Sequence, residues 1–274
     1  MATVCVELAV RDDVRAVETL RSLAGQTRRP DRVLVAASTD TPPSLAAALT
    51  AAAPGLPVDI AQFPGGVVDA RAGSLPLLHE EIVAFLDSDE RAPPEWLGRL
   101  VAPIEEGRAA FTGGPTRPVR PAETTIERYY ELLERSIYSD LVPRSIRYVP
   151  LQNSAWSAAL LRRLGFDPRI PFAEDHDLEV RALREGASGV FVPDAFVFHD
   201  KSSETSLWRW ARKRYRYLVA MGMSLLKNGE LEERLRERRR PVPHPLRYVE
   251  AAMKPFALVE ATIRWRRVRS RSET

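Results

Sequence analysis

Ile82-Val83-Ala84-Phe85-Leu86-Asp87-Ser88-Asp89 decides the reading of this chain. An unbroken apolar run of this length and composition makes a strand buried on both faces, the kind found in parallel sheets. Two carboxylates follow where that strand leaves the sheet, and ligands of open α/β sheets bind outside the carboxyl ends of the strands. Carboxylates at i and i+2 can share one hard divalent cation. Mg²⁺ and Mn²⁺ prefer oxygen donors and are often held by one or two carboxylates together with substrate phosphates. An Asp-x-Asp after a strand also serves as a turn and helix cap, so the motif gains its force from what flanks it.

Upstream, strand patterns over residues 4–10, 32–37 and 58–63 alternate with helix patterns over 12–23, 43–53 and 69–79, Asp12 being a candidate cap for the first helix. Such alternation predicts an α/β fold, a mostly parallel sheet with helices on both faces. Downstream the spacing predicts a strand over 109–116 and an amphipathic helix over 125–138. It then predicts a strand over 153–158, helices over 159–164 and 175–184, and short strands over 189–193 and 196–199. From Ser206 the chain reads as helical and Arg-rich, broken at Pro241-Val242-Pro243-His244-Pro245, and residues 264–274 are expected to fray. The division is residues 1–220 as one domain and 221–274 as a basic helical extension.

A chain of 274 residues, 45% hydrophobic and 28% charged, can bury a sizeable core. It has no apolar run of about 18 residues and no basic start followed by an apolar stretch, so neither a spanning helix nor a signal peptide is read. A single cysteine, Cys5, forbids an internal disulfide and reads as a buried, inert thiol. These features place the protein in the cytoplasm. The net charge of +3 is unevenly spread, with −8 over residues 1–200 and +11 over 201–274. A basic tail on an acidic body calls for an anionic partner or docking surface.

Two further clusters carry chemistry. Glu174-Asp175-His176-Asp177 opens the helix after Gly165-Phe166-Asp167-Pro168. Acidic residues complement a helix N-terminus, but four consecutive ionisable groups exceed what capping needs, and one of them can be a general base. Phe196-Val197-Phe198-His199 ends an apolar strand in an imidazole, which is either a satisfied structural histidine or a metal ligand.

The ordered set of segments resembles glycosyltransferase family 2, with its nucleotide-sugar-binding GT-A fold. The matching pieces are Leu23-Ala24-Gly25-Gln26-Thr27, Val33 to Asp40, Ala70-Arg71-Ala72-Gly73 and Ala84 to Asp89. They continue with Gly165-Phe166-Asp167, Glu174 to Leu178 with Arg181 and Gly186, Val192-Pro193-Asp194-Ala195, and His199, covering roughly residues 3–220. The resemblance implies transfer of a sugar from a nucleoside diphosphate to an acceptor hydroxyl, with a divalent metal, Mg²⁺ or Mn²⁺. It implies Asp87 and Asp89 at the ribose and metal, His199 as a further metal ligand, Asp175 as catalytic base with Glu174 beside it, and Arg71 in the segment lining the donor site. One base, one metal and no covalent intermediate imply inversion.

Two departures stand out. The family's acid near the end of the second strand is absent: the chain reads Val35-Ala36-Ala37-Ser38, with no acid until Asp40. Ser38 and Asp40 are the candidates left for donor contact there. Ser206 stands where processive members carry the Gln of Gln-x-x-Arg-Trp, before Arg209-Trp210, which favours single transfer. The segment from Trp208 to Tyr217 reads as a solvated helix with an aromatic core face, as active-site lining, or as a membrane-surface anchor. With the basic stretches 231–240 and 263–271 the last suits anionic lipid, a lipid-linked acceptor and a peripheral location at the inner face of a membrane. No nucleic-acid motif is present. Residues 125–138 and the C-terminal helices can also pack against a partner, a second copy included. The alternatives are a nucleotidyltransferase, disfavoured by Val10-Arg11-Asp12-Asp13 where a Gly-rich phosphate loop belongs, and a degenerate sugar-nucleotide-binding protein.

Overall fold

The computed structural model describes residues 1–139, 150–203, 205–232 and 242–272. Strand β1 (Val4–Val10) is buried along its whole length, as an apolar run enclosed on both faces must be. It pairs in parallel with β2 (Arg32–Ser38) and with β4 (Ile82–Asp87), and β2 pairs in parallel with β3 (Val58–Phe63). Between the strands run α1 (Ala16–Ala24), α2 (Pro43–Ala52) and α3 (Val67–Ser74), the last continued by a 3-10 turn at Leu75–Leu77. Helix α1 begins later than the pattern suggests. The Asp13 carboxylate accepts the Arg15 backbone N–H at 3.0 Å and forms a turn where the first helical residues were expected.

The second half is mixed. β8 (Asn153–Ser157) runs antiparallel to β4, β6 (Phe111–Gly113) antiparallel to β8, and β9 (Gly189–Phe191) parallel to β6. The seven strands lie in the order β3-β2-β1-β4-β8-β6-β9. The stretch 109–116, expected as one strand, serves two sheets. After β6 the chain turns at Gly114-Pro115 into β7 (Thr116–Pro118), which joins β10 (Val197–His199) and β5 (Glu90–Arg91) in a three-stranded sheet of order β5-β10-β7. Only glycine fits at 114, where a Cβ would lie 1.9 Å from the Ala195 carbonyl oxygen. No expectation covered α4 (Trp96–Glu105), because prolines 93, 94 and 103 disguise it. Trp96, Leu97, Leu100 and Val101 nevertheless recur at helical spacing and are buried.

Strand alternation sorts the core into two. Val4, Val6, Leu8 and Val10 pack on one face of the sheet, and Cys5 on the other with Leu34, Val83 and Phe85. The second face is covered by Val68 of α3, by α6 (Ala158–Leu164) and by Leu178 and Ala182 of α7 (Glu174–Arg184). Burial pushes the Cys5 thiol up to about 12, in keeping with an inert role.

The C-terminal part is a helical layer. α8 (Leu207–Lys227) is capped by Ser206, whose Oγ accepts the Arg209 N–H at 3.4 Å. It packs on α9 (Leu246–Ser272) through Val219, Ala220 and Met223 against Ala257 and Ala261. The expected division between residues 220 and 221 falls inside α8, so the layer begins at Leu207. Trp210 is buried edge-on to Tyr129 of α5 (Thr125–Ser139), with ring centroids 5.5 Å apart. Residues expected to fray from 264 instead continue α9 to Ser272. Trp265 packs at the α8–α9 contact and Arg264 pairs with Glu260 one turn back at 2.5 Å. The basic stretch 231–240 lies, beyond residue 232, outside the described residues. Among the described residues no helix is long and apolar enough to cross a membrane.

Candidate functional site

The site grows from the period of two in the strands. Glu7 and Asp87 follow Cys5 and Phe85 by two residues, so both side chains emerge on the face covered by α3 and α7. Arg71 of α3 meets them there. Its Nη2 donates to Asp87 Oδ1 at 2.9 Å and its Nη1 to Glu174 Oε1 at 2.7 Å, while its Nε lies 3.8 Å from Glu7 Oε2. Arg71 and Glu7 are both buried. One guanidinium thus ties the end of β4 to the first residue of α7.

Burial pushes the Glu7 carboxyl up to about 7, with Asp87 and Glu174 adding to the effect and only Arg71 opposing it. Burial likewise raises Asp87 against the pull of Arg71. Burial works against the Arg71 charge, but Asp87, Glu174, Glu7 and Asp175 outweigh it and raise the group. Neither Glu7 oxygen has a hydrogen-bond donor among the described residues.

Asp89 stands in a second group. The small sheet creates it: His199 is paired with Glu90 in the β10–β5 register, and the Asp200 N–H donates to the Asp89 carbonyl at 2.9 Å. That pairing brings His199 Nε2 to 3.3 Å from Asp89 Oδ2, and Arg15 Nη2 lies 3.5 Å from the same oxygen. Burial opposes ionisation of Asp89, but the charge and hydrogen bond of His199, with Arg15, outweigh it and hold the carboxyl down at about 2. Behind the imidazole, Glu90 Oε1 lies 3.8 Å from His199 Nδ1 while its Oε2 accepts the Asp87 backbone N–H at 3.2 Å. Glu90 is fully buried and its carboxyl is raised well above its usual range, by burial first and then by Asp87 and Asp89. The Thr19 hydroxyl donates to the Ser88 carbonyl at 3.0 Å and fixes the turn between the two acids.

The run 174–177 divides by helical phase. Glu174 turns to Arg71. Asp175 is half-buried, its carboxylate accepting the His176 N–H at 2.7 Å, and its charge is felt at Arg71. His176 instead faces α8, with Nδ1 3.0 Å from Ser224 Oγ. Asp177, fully buried, is held by Lys227 at 2.8 Å, Arg181 at 2.9 Å and Asn228 at 3.0 Å. Two of the four ionisable groups therefore fasten α7 to the helical layer.

Ser38 ends β2 at the same edge of the sheet, its Oγ accepting the Asp40 N–H at 3.2 Å. Asp40 turns outward to Arg11 at 3.5 Å, both side chains about two-thirds exposed. The sequence reading did not mark Glu7, Arg15 or Glu90. A lone acid inside β1 was the one available signal for Glu7.

Asp87, Asp89 and His199 offer hard oxygen and imidazole donors in a region where carboxylates outnumber cations, a set suited in kind to Mg²⁺ or Mn²⁺. Among the described residues no three such side chains already converge on one cation position. Asp89 and His199 are paired with each other, and Asp87 is engaged by Arg71.

Residues 82–267 match the family described as Glycosyl transferase family group 2. The chain belongs to this family. No curated protein sequence matches it. Solved structures share the GT-A fold of this glycosyltransferase family. The mannosyltransferase PcManGT from Pyrobaculum calidifontis, solved with GDP-Man and Mn²⁺, is 19% identical with a TM-score of 0.65, over 96% of this chain and 74% of that one. TarS from S. aureus, solved with UDP-GlcNAc, is 19% identical with a TM-score of 0.61, over 82% and 66%. The glucosyl-3-phosphoglycerate synthase from Mycobacterium tuberculosis, solved with Mn²⁺, UDP and phosphoglyceric acid, is 18% identical with a TM-score of 0.58, over 83% and 78%.

Proposed function

We propose that this glycosyltransferase moves a hexosyl group from a nucleoside diphosphate donor to an acceptor hydroxyl, one sugar at a time, with inversion and a divalent cation. The observation that carries the reading is the Arg71 bridge between Asp87, at the mouth of β4, and Glu174, the neighbour of Asp175. The bridge supports the reading because it ties the residue assigned to the donor and the neighbour of the residue assigned to the acceptor to one guanidinium. Asp87, Asp89 and His199 would hold the cation, which when bound supplies Lewis-acid stabilisation of the charge on the departing diphosphate.

In this reading Asp175, half-exposed at the first turn of α7, takes the proton from the acceptor hydroxyl as it attacks the anomeric carbon. Glu174, locked by Arg71, keeps that turn in place, so the base need not be reoriented in each cycle. A single displacement without a covalent sugar intermediate inverts the anomeric centre, by the geometric logic of inverting glycosidases. Ser206 caps α8 instead of offering an amide to a growing chain, which supports single transfer.

Asp89→Ala tests the donor half. Calorimetry with nucleoside diphosphates is expected to show binding that strengthens with Mn²⁺ in the wild type and loses that strengthening in the variant. Equal Mn²⁺ dependence in both would remove Asp89 from the donor site.

A further inference from the structure

Helices α8 and α9 leave a cleft of about 360 Å³ where they meet the loop that leads into α7, a size in the range of small-ligand sites. Its floor is apolar, with Val219 and Met223, and its rim carries Arg212, Arg216 and Arg264. Arg264 is paired with Glu260, which also accepts the Tyr215 hydroxyl at 2.7 Å. No carboxylate lies within ion-pair distance of Arg212 or Arg216 among the described residues. Three guanidinium groups thus face one carboxylate across an apolar floor.

The loop side of the cleft carries Phe172, three residues before the candidate base in the chain. Its φ of +69° is left-handed, a conformation unfavourable for a bulky residue and found where ligands are clamped. Its ring lies 4.4 Å from the Arg216 guanidinium. Two residues later the chain enters α7 with Glu174 and Asp175.

We propose that this cleft binds the phosphate of a phosphorylated acceptor, the apolar floor taking the carbon chain that carries it. Planar guanidinium forks match phosphate oxygens in pairs and are less strongly hydrated than ammonium groups. The acidic strand end repels an anion, whereas the arginines of the cleft, whose loop leads directly into α7, attract one. The assignment to an acceptor rests on the transfer reading, whereas the phosphate site itself does not.

The test is calorimetry on the full chain with octyl phosphate, glycerol phosphate and 1-octanol, the donor region being filled with a nucleoside diphosphate and Mn²⁺. Octyl phosphate is expected to bind, 1-octanol not. Arg212→Ala combined with Arg216→Ala is expected to weaken octyl phosphate about tenfold or more, as loss of two charge-assisted contacts requires. Both side chains are exposed, and an unchanged melting temperature will show that the variant folds. The same double variant is expected to leave nucleoside diphosphate affinity with Mn²⁺ unaltered, which separates this site from the donor site. Comparable affinity for glycerol phosphate would point to a soluble acceptor, and a strong preference for the octyl chain to a lipid-borne one; both support the phosphate site. Equal affinity in the double variant, or 1-octanol binding as tightly as octyl phosphate, would overturn it. Phosphate binding without any sugar transfer would sink the transfer reading and leave the cleft standing.

Discussion

At the ends of β1 and β4, carboxylates outnumber the cations that meet them: Glu7, Asp87 and Glu174 share Arg71, and Asp89 shares His199 and Arg15. In the cleft of the α8–α9 layer the proportion reverses, with Arg212, Arg216 and Arg264 lining the same cavity as Glu260, which is paired with Arg264. The layer also contains a paired example, Arg214, half-buried and bound to Glu250 at 2.5 Å. The difference separates charge that holds the fold from charge left for a ligand. A buried ion is tolerated only when it is met by an opposite charge, so surplus acid on one side and surplus base on the other mark where counter-charges arrive from outside.

The largest effect is expected at the acidic side. Asp175→Asn should lower transfer by roughly 10²–10⁴-fold, the usual contribution of a general base, while nucleoside diphosphate binding stays within about twofold of the wild type. Rate measurements showing undiminished turnover would deprive Asp175 of its role and weaken the contrast between the two regions.

Arg71→Met strands three carboxylates. It should cost about 3–5 kcal/mol of stability by chemical denaturation, as breaking a buried ion pair does. Adding Glu7→Gln should recover part of that loss, since it removes the most deeply buried of the stranded acids. No recovery would mean that Glu7 is not held by Arg71. Trp210→Ala in the helical layer should cost a comparable 3–5 kcal/mol, whereas Trp208→Ala, two residues away and exposed, should stay within about 0.5 kcal/mol. Similar costs for both tryptophans would contradict the burial of one face of α8.

The smallest effect is a pH slope. Glu7 has its carboxyl raised from 4.5 to about 7 in the fold. The stability this group contributes is therefore complete below its unfolded pKa of 4.5 and is lost as pH rises through about 7, because the unfolded chain then releases a proton that the folded chain keeps. Melting curves of metal-free protein should show the wild type losing ground to Glu7→Gln over that window. A constant difference between the two would place the titration elsewhere.

Much of the fold is legible in the chain because unbroken apolar runs and helical spacing are local. The extent of β1 and β3 follows directly, and β2 and β4 run one residue beyond the pattern. The misreadings have physical causes. Residues 109–116 read as one strand because the turn at Gly114-Pro115 is short and Thr116, a good strand former, takes up pairing again at once in the second sheet. α4 stays hidden because prolines at 93, 94 and 103 outweigh its periodicity. Residues 264–272 look frayed because a run of arginines conceals Trp265, which packs inward. Among the site residues, Glu7 reads as an odd acid in a strand until α3 and α7 cover its face.

By itself the sequence determined the alternation that makes the sheet, the acids at the end of β4 and at the start of α7, and the gathering of base in the last quarter of the chain. These depend on side-chain period and composition, which need no long-range contact. Tertiary structure alone decided which groups meet. Pairing of β5 with β10 delivers His199 to Asp89. The phase of α7 turns Glu174 toward Arg71 and Asp177 toward Lys227. The crossing of α8 and α9 leaves Arg212 and Arg216 at the cleft without a carboxylate among the described residues. Each outcome turns on register and packing between segments far apart in the chain, where a shift of one residue points a side chain to the opposite face.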